Sequence, residues 1–421
     1  MAVFEFLMNE ILSLPAVLVG IMVLIGLAVQ RADLSKIFSG TLKSIIGFII
    51  LGSGATVIIG SLDALGGIIE EGFSIHGVVP NNEAIVALAQ QTLGRETALI
   101  MGFGFIANIL FARFTPLKYI FLTGHHTFFM AALLSAVLGT AGLSGFALVL
   151  TGSIILGFLM VLMPAIGQPF MRQITGSNDI AIGHFSTIGY VSAGLVGKWV
   201  GNKEQSTEEI QISEKWSFLR DSLVATALTM VIIFVIMVLF AGPSVVSHYA
   251  GEQNFIMFGI IQGVTFAAGL SIILLGVRMI LNEIVPAFRG IAEKIVPGAK
   301  PALDIPIVFP YASTAVIIGF LFSFAGGLIS MFFLGLLSLP LIIPGLVPHF
   351  FTGGGAGVFG NATGGRVGAA VGGFVNGVLI SFIPALLLPV LGNLGFANTT
   401  FGDTDFGIVG IIIGFIANLF S

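Results

Sequence analysis

A chain of 421 residues that is 56% hydrophobic and only 9% charged, with a mean hydropathy of +1.09, departs sharply from soluble domains, in which about 25% of residues are charged. Apolar runs approaching the roughly 20 residues that a membrane span needs recur over residues 14–421 and leave no room for a soluble domain of ordinary size, so a polytopic membrane protein is predicted. The net charge of −4 excludes little, but the absence of cysteine excludes a disulfide framework, a Cys-based metal site and a cysteine nucleophile.

Glu5 and Glu10 precede the first apolar run without a basic segment or a small-residue cleavage site, so no removable signal peptide is expected. The first span is predicted over 14–29. Arg31, Lys36 and Lys43 follow it, which places that loop in the cytoplasm, the N-terminus outside and Ser421 inside. A glycine-broken span over 45–60 leads to a segment with Asp63, Glu70 and Glu71 that reads as an interfacial amphipathic helix. The piece 78–91, VVPNNEAIVALAQQ, is too short to cross and is expected to be re-entrant. Spans follow over 97–111, 117–139 and 145–166, then a polar, glycine-containing stretch over 176–190. The hydrophilic run 198–221, with Lys203, Glu204, Glu208, Glu209, Glu214, Lys215 and Arg220, reads as a solvated connector.

Beyond the connector the pattern begins again. VVPNNEAIVALAQQTLGRETALIMGFGF from Val78 lines up with IVPGAKPALDIPIVFPYASTAVIIGFLFS from Ile295, and IIGFIILGSGATVIIG from Ile45 with IIQGVTFAAGLSIILLG from Ile260. Each copy holds about five spans, and an odd number makes the second enter the membrane from the opposite side, as in transporters with substrate sites on broken segments near the midplane. The expected fold is an all-α polytopic bundle of about eleven transmembrane helices with re-entrant hairpins. Its first repeat covers about 10–200, the connector 198–221, the second repeat 222–392 and an extra C-terminal helix 405–421.

Ionisable groups within such a bundle mark a substrate or ion path, because lipid cannot solvate them. Asp304 sits between Pro301 and Pro306, where helix propagation fails, and could accept from substrate hydroxyls or cap a half-helix. Asn82 and Glu83 lie in the matching segment of the first copy. His125 and His126 lie inside an apolar run; neighbours on a helix point about 100° apart, so one is expected to face ligand and the other to be structural. By its local sequence His184 reads as a loop histidine, and His76, His248 and His349 as structural ones. No HxxxH or HxxE spacing joins His125, His184 and Asp304, so no metal is expected. The run TGGGAGVFGNATGG from Thr352 lacks the ending of a phosphate-binding loop and suggests close helix packing or an unwound helix. No basic, aromatic-interleaved patch points to nucleic acid.

LTGHHTFF from Leu122, IGHF from Ile182, GVRMILNEIVPAFRGIAEKIVPGAKPALD from Gly276, and IIPGLVPHFF with GVFGN around Phe350 resemble the ascorbate-specific membrane subunit, enzyme IIC, of the bacterial phosphoenolpyruvate-dependent phosphotransferase system. The resemblance covers nearly the whole chain and extends more distantly to galactitol IIC proteins. It implies a homodimer in the bacterial inner membrane, each protomer with a V-shaped scaffold domain and a core domain that moves against it. By motif, substrate-binding positions fall on His125, His184 and Asp304, with Asn82 and Glu83 after the first break, and the rest of the TGH motif runs through His126, Thr127, Phe128 and Phe129. Phe129 and Phe185 stand where the family's ascorbate proteins carry Gln, which makes the expected pocket less polar.

The expected activity is uptake of L-ascorbate or a related sugar-like substrate, with phosphorylation by a separate, phosphocysteine-bearing IIB protein that is charged through IIA. His125 or Asp304 would be the base for the accepting hydroxyl, and no cofactor is expected. Inverted repeats and broken helices fit an ion-coupled secondary transporter using Glu83 and Asp304 equally well; a passive channel suits buried carboxylates poorly. The family motifs favour the phosphotransferase reading.

Overall fold

The computed structural model describes residues 14–73, 77–210, 222–396 and 399–418. Glu5, Glu10, His76, Glu214, Lys215, Arg220 and Ser421 lie outside the described residues. The helices in chain order are α1 (Pro15–Val29), α2 (Leu34–Phe73), α3 (Asn82–Phe114), α4 (Gly124–Thr140), α5 (Gly145–Thr175), α6 (Thr187–Val200), α7 (Ser222–Ala250), α8 (Phe255–Lys294), α9 (Ser313–Leu336), α10 (Leu346–Leu387) and α11 (Thr404–Asn418). Among the described residues, seven helical stretches are long and apolar enough to cross a membrane, which makes the chain an all-α, multi-pass membrane protein. Helix α4 is short and mostly buried, an interior element of the bundle.

Two expectations drawn from polarity alone are corrected. The predicted span 45–60 and the acidic segment after it are one continuous helix, α2. The predicted re-entrant piece 78–91 is a two-residue strand followed by the start of α3, which runs unbroken to Phe114. Asn82, Glu83, Gln90 and Gln91 make that segment polar, but no Pro or Gly falls between Asn82 and Gly94, so nothing interrupts the helical ladder. Backbone geometry breaks a helix where polarity does not.

Helices α2 and α8 pack antiparallel along a seam of small residues. Ser61 meets Gln262, Gly54 meets Gly269, Gly47 meets Gly276 and Gly40 meets Glu283, so each step down one helix matches a step up the other. Such seams hold membrane helices together because backbones approach closely where side chains are small. The glycine-rich run at the start of α10 does the same against α9: a Cβ at Gly319 would collide with the carbonyl of Gly353. The run ends in a break at Gly365, whose φ of 58° suits glycine and whose α-carbon faces the carbonyls of Asn202 and Gln205.

The connector is not simply solvated over its described part. Glu208 accepts from the backbone N–H groups of Thr314 (3.0 Å) and Ala315 (3.2 Å), capping α9 from another part of the chain.

Among the described residues, five short strands lie among the helices: β1 (Val79–Pro80), β2 (Tyr119–Phe121), β3 (Ala181–Ile182), β4 (Lys300–Leu303) and β5 (Thr399–Thr400). All pair in parallel. In one sheet β4 lies between β2 and β3, both from earlier in the chain. In the other β1 pairs with β5 and, through Val78, with Ile342, both from later in the chain. Each sheet therefore takes its middle strand from one half of the sequence and its flanks from the other.

Candidate functional site

The strand ends build one place. Asn82 follows β1, His125 follows β2, His184 follows β3, Asp304 follows β4 and Asp403 follows β5, each within a few residues. A strand that stops in the interior leaves its next residues free of sheet and helix ladders, so side chains there can turn toward a common space. All five line a cavity of about 310 Å³, together with His126, Phe129 and residues of α2 and α10.

Asp304 caps the 3₁₀ turn Ile305–Tyr311 by accepting from the backbone N–H of Ile305 at 2.7 Å. The same oxygen, Oδ1, lies 2.7 Å from His184 Nδ1, while Oδ2 lies 3.3 Å from His125 Nε2. His184 Nε2 is 3.1 Å from Asp403 Oδ1. Both nitrogens of that ring thus face carboxylates. Asp403 also accepts from Ser186 Oγ at 3.2 Å and, through Oδ2, from the Asn82 amide. Asn82 Oδ1 in turn accepts from the N–H of Gly402 at 2.9 Å. The cluster is a chain of paired groups, as burial requires.

His125 is the most open member, with 38% of its side chain exposed, and it faces the cavity beside Asp304. His126 is buried; Nδ1 accepts from the N–H of Phe185 at 3.4 Å and its ring stacks on Phe406. The two neighbours differ in burial, and both line the cavity. Phe129 lies edge-on to His125, with centroids 5.8 Å apart, and forms an apolar wall. His125, His126 and Asp304 each present a ligand atom within 4.8 Å of the others, a spacing that admits a divalent cation at the expense of the His125–Asp304 contact.

Three predicted site residues lie off the cavity wall. Thr127 turns its hydroxyl back to the Thr123 carbonyl at 3.1 Å. Phe128 packs against the core, and Phe185 is fully buried, stacked on Phe121 with centroids 4.9 Å apart. Glu83 is placed on α3, but its side chain lies outside the described residues. His184 lies in the loop between β3 and α6, at the centre of the cluster. His349 has the structural role expected of it, buried and 2.8 Å from Ser323 Oγ.

Asp403 was not anticipated. GDTDFG from Gly402 can be laid on GHFSTIG from Gly183 by extending the match between the two halves, which puts Asp403 opposite His184. That signal was present in the sequence but short. The nearby Asp405 is a capping group, accepting from the N–H groups of Thr187 and Ile188 at 2.9 Å each.

A paired polar cluster in a cavity among membrane-crossing helices defines the class: a multi-pass membrane permease. More particularly, the chain belongs to the family of phosphotransferase-system sugar-specific permease components, EIIC-GAT, whose model matches residues 10–405. It is similar to the ascorbate-specific PTS system EIIC component of Mycoplasma pneumoniae (strain ATCC 29342 / M129 / Subtype 1), at 27% identity over 425 residues and 85% of this chain. The chain spans 62% of the length of that relative, less than two thirds.

Proposed function

We propose that this chain binds L-ascorbate or a related sugar-like substrate in the cavity between His125, His184 and Asp304, and passes it inward with phosphorylation by a separate IIB protein. One observation carries the reading: Asn82, His125, His184, Asp304 and Asp403, from five separate strand ends, converge on one cavity. A polyol or enediol seated between His125 Nε2 and Asp304 Oδ2 would donate one hydroxyl to the carboxylate and a neighbouring one to the unprotonated ring nitrogen. His125 is the better placed base, since it is open and both nitrogens of His184 are engaged by carboxylates. The described chain offers no cysteine, so a phosphocysteine carrier lies outside these residues.

The same reading takes the two halves as inverted repeats, with the exchanged strands of the two sheets and the antiparallel α2–α8 seam as support. It carries with it about eleven spans, a V-shaped scaffold and a moving core, a homodimer, a bacterial inner-membrane location and IIA as the upstream partner.

Uptake of labelled ascorbate into vesicles tests the coupling. Phosphorylated product is expected only with phosphoenolpyruvate and the soluble phosphotransferase proteins, IIA and IIB present, and a protonophore should have little direct effect. Gradient-driven accumulation of unmodified substrate by this chain alone would instead establish a secondary transporter.

A further inference from the structure

A second cavity, of about 250 Å³, adjoins the first and shares Pro80, Asn81, Val347 and Pro348 with it. The two follow one another along α2: Phe48 to Ile59 line the first and Leu62 to Glu70 the second. At about 1.5 Å of rise per residue the pair spans roughly 33 Å of helix, close to the ~30 Å of a bilayer's hydrocarbon core. The partition between them includes two proline rings. Pro80 and Pro348 both lie against Gly402, and Gly345 abuts both of them as well. Proline donates no backbone hydrogen bond, so separating the rings themselves breaks apolar contact only.

The walls of the second cavity are mostly apolar, with Phe324, Leu328, Met331 and Ile343 among them, yet Asp63 and Glu70 face it from α2. Seven residues apart, they share one helix face, and among the described residues neither makes a hydrogen bond or ion pair. A carboxylate that opens on such a cavity can accept from a solute's hydroxyls. We propose that this cavity is an antechamber on the substrate's route, in which Asp63 and Glu70 accept from hydroxyls of a sugar-like substrate, and that Pro80 and Pro348, both packed on Gly402 and Gly345, part to let it through. The proposal rests on the first cavity being the substrate site.

The cysteine-free chain allows a clean test. Gly66→Cys puts one thiol in the antechamber, where an added Cβ meets nothing closer than Leu346 Cδ1 at 3.9 Å. After reaction with benzyl methanethiosulfonate, binding of L-ascorbate or galactitol, whichever the unmodified protein binds, is followed by stopped flow. Association and dissociation are both expected to slow by at least about tenfold with Kd unchanged, the signature of a blocked route to an intact site. Unaltered rates, or a changed Kd without slowing, would overturn the antechamber. If Gly66→Cys does not fold, Leu328→Cys brings the thiol to the same cavity from α9. Failure of the first reading has a different sign: neither ligand binds, or His125→Ala binds as the parent does.

Discussion

The cavity has two comparable walls made differently. On one, β2 runs into α4 through TGHHTFF, and His125, His126 and Phe129 face the space. On the other, the bridge at Ile342 runs into α10 through PGLVPHFF, and Val347, Pro348 and Phe351 face it. Laid on one another at their Phe-Phe pairs, the two segments present corresponding positions to the cavity: the aromatic is kept, and the two imidazoles are replaced by Val and Pro. The same contrast recurs one strand over, where Asp304 pairs with His184 and Asn82 pairs with Asp403. The ionisable side chains that line the cavity thus lie mainly around one wall.

Breaking the polar wall at its centre has the largest expected effect. Asp304→Ala removes the acceptor shared by His125 and His184 and leaves a buried ring short of a partner, so substrate binding is expected to be lost. Calorimetry on purified protein that still elutes as the parent does is the check, and parent-like affinity would count against the site. His125→Ala removes a single, half-open contact. At about 0.5 to 1.5 kcal/mol for one neutral hydrogen bond, affinity should fall roughly 2- to 12-fold, with His184 and Asp304 left paired.

The aromatic positions sharpen the comparison further. Phe129 lines the cavity and Phe185 does not, so the two changes to Gln should part company. Phe129→Gln is expected to shift selectivity toward ascorbate, read from competition between ascorbate and galactitol. Phe185→Gln should instead lower thermal stability, because it buries an amide against Phe121 and Phe406 without partners. Equal selectivity in the parent and Phe129→Gln proteins would remove Phe129 from the site. On the second wall, Thr352 donates to the Pro348 carbonyl at 2.8 Å and accepts from Asn376 at 2.9 Å. Its hydroxyl is already engaged, so Thr352→Val is expected to cost about 1 kcal/mol of stability and to move affinity less than His125→Ala does. A larger binding loss there would erase the difference between the walls.

Composition and hydropathy determined the class of protein, because a chain with so few charges can satisfy its surface only in lipid. The motifs around His125 and Asp304 determined the family, and prolines and glycines marked where backbone was freed; those signals are local, and a sequence carries local signals directly. Helix continuity was misread where polarity stood in for geometry, as at Asn82 to Gln91, since polar side chains without Pro or Gly leave the ladder intact. What only the tertiary structure decided is which freed ends meet. Parallel pairing of β2, β3 and β4 sets His125, His184 and Asp304 within reach of one another, and the second sheet brings Asp403 to His184 and Asn82 to Asp403. It also turned Phe185 into the core and set His184, in its loop, between two carboxylates. Such choices depend on contacts between residues far apart in the chain, and residue spacing along the chain does not encode them.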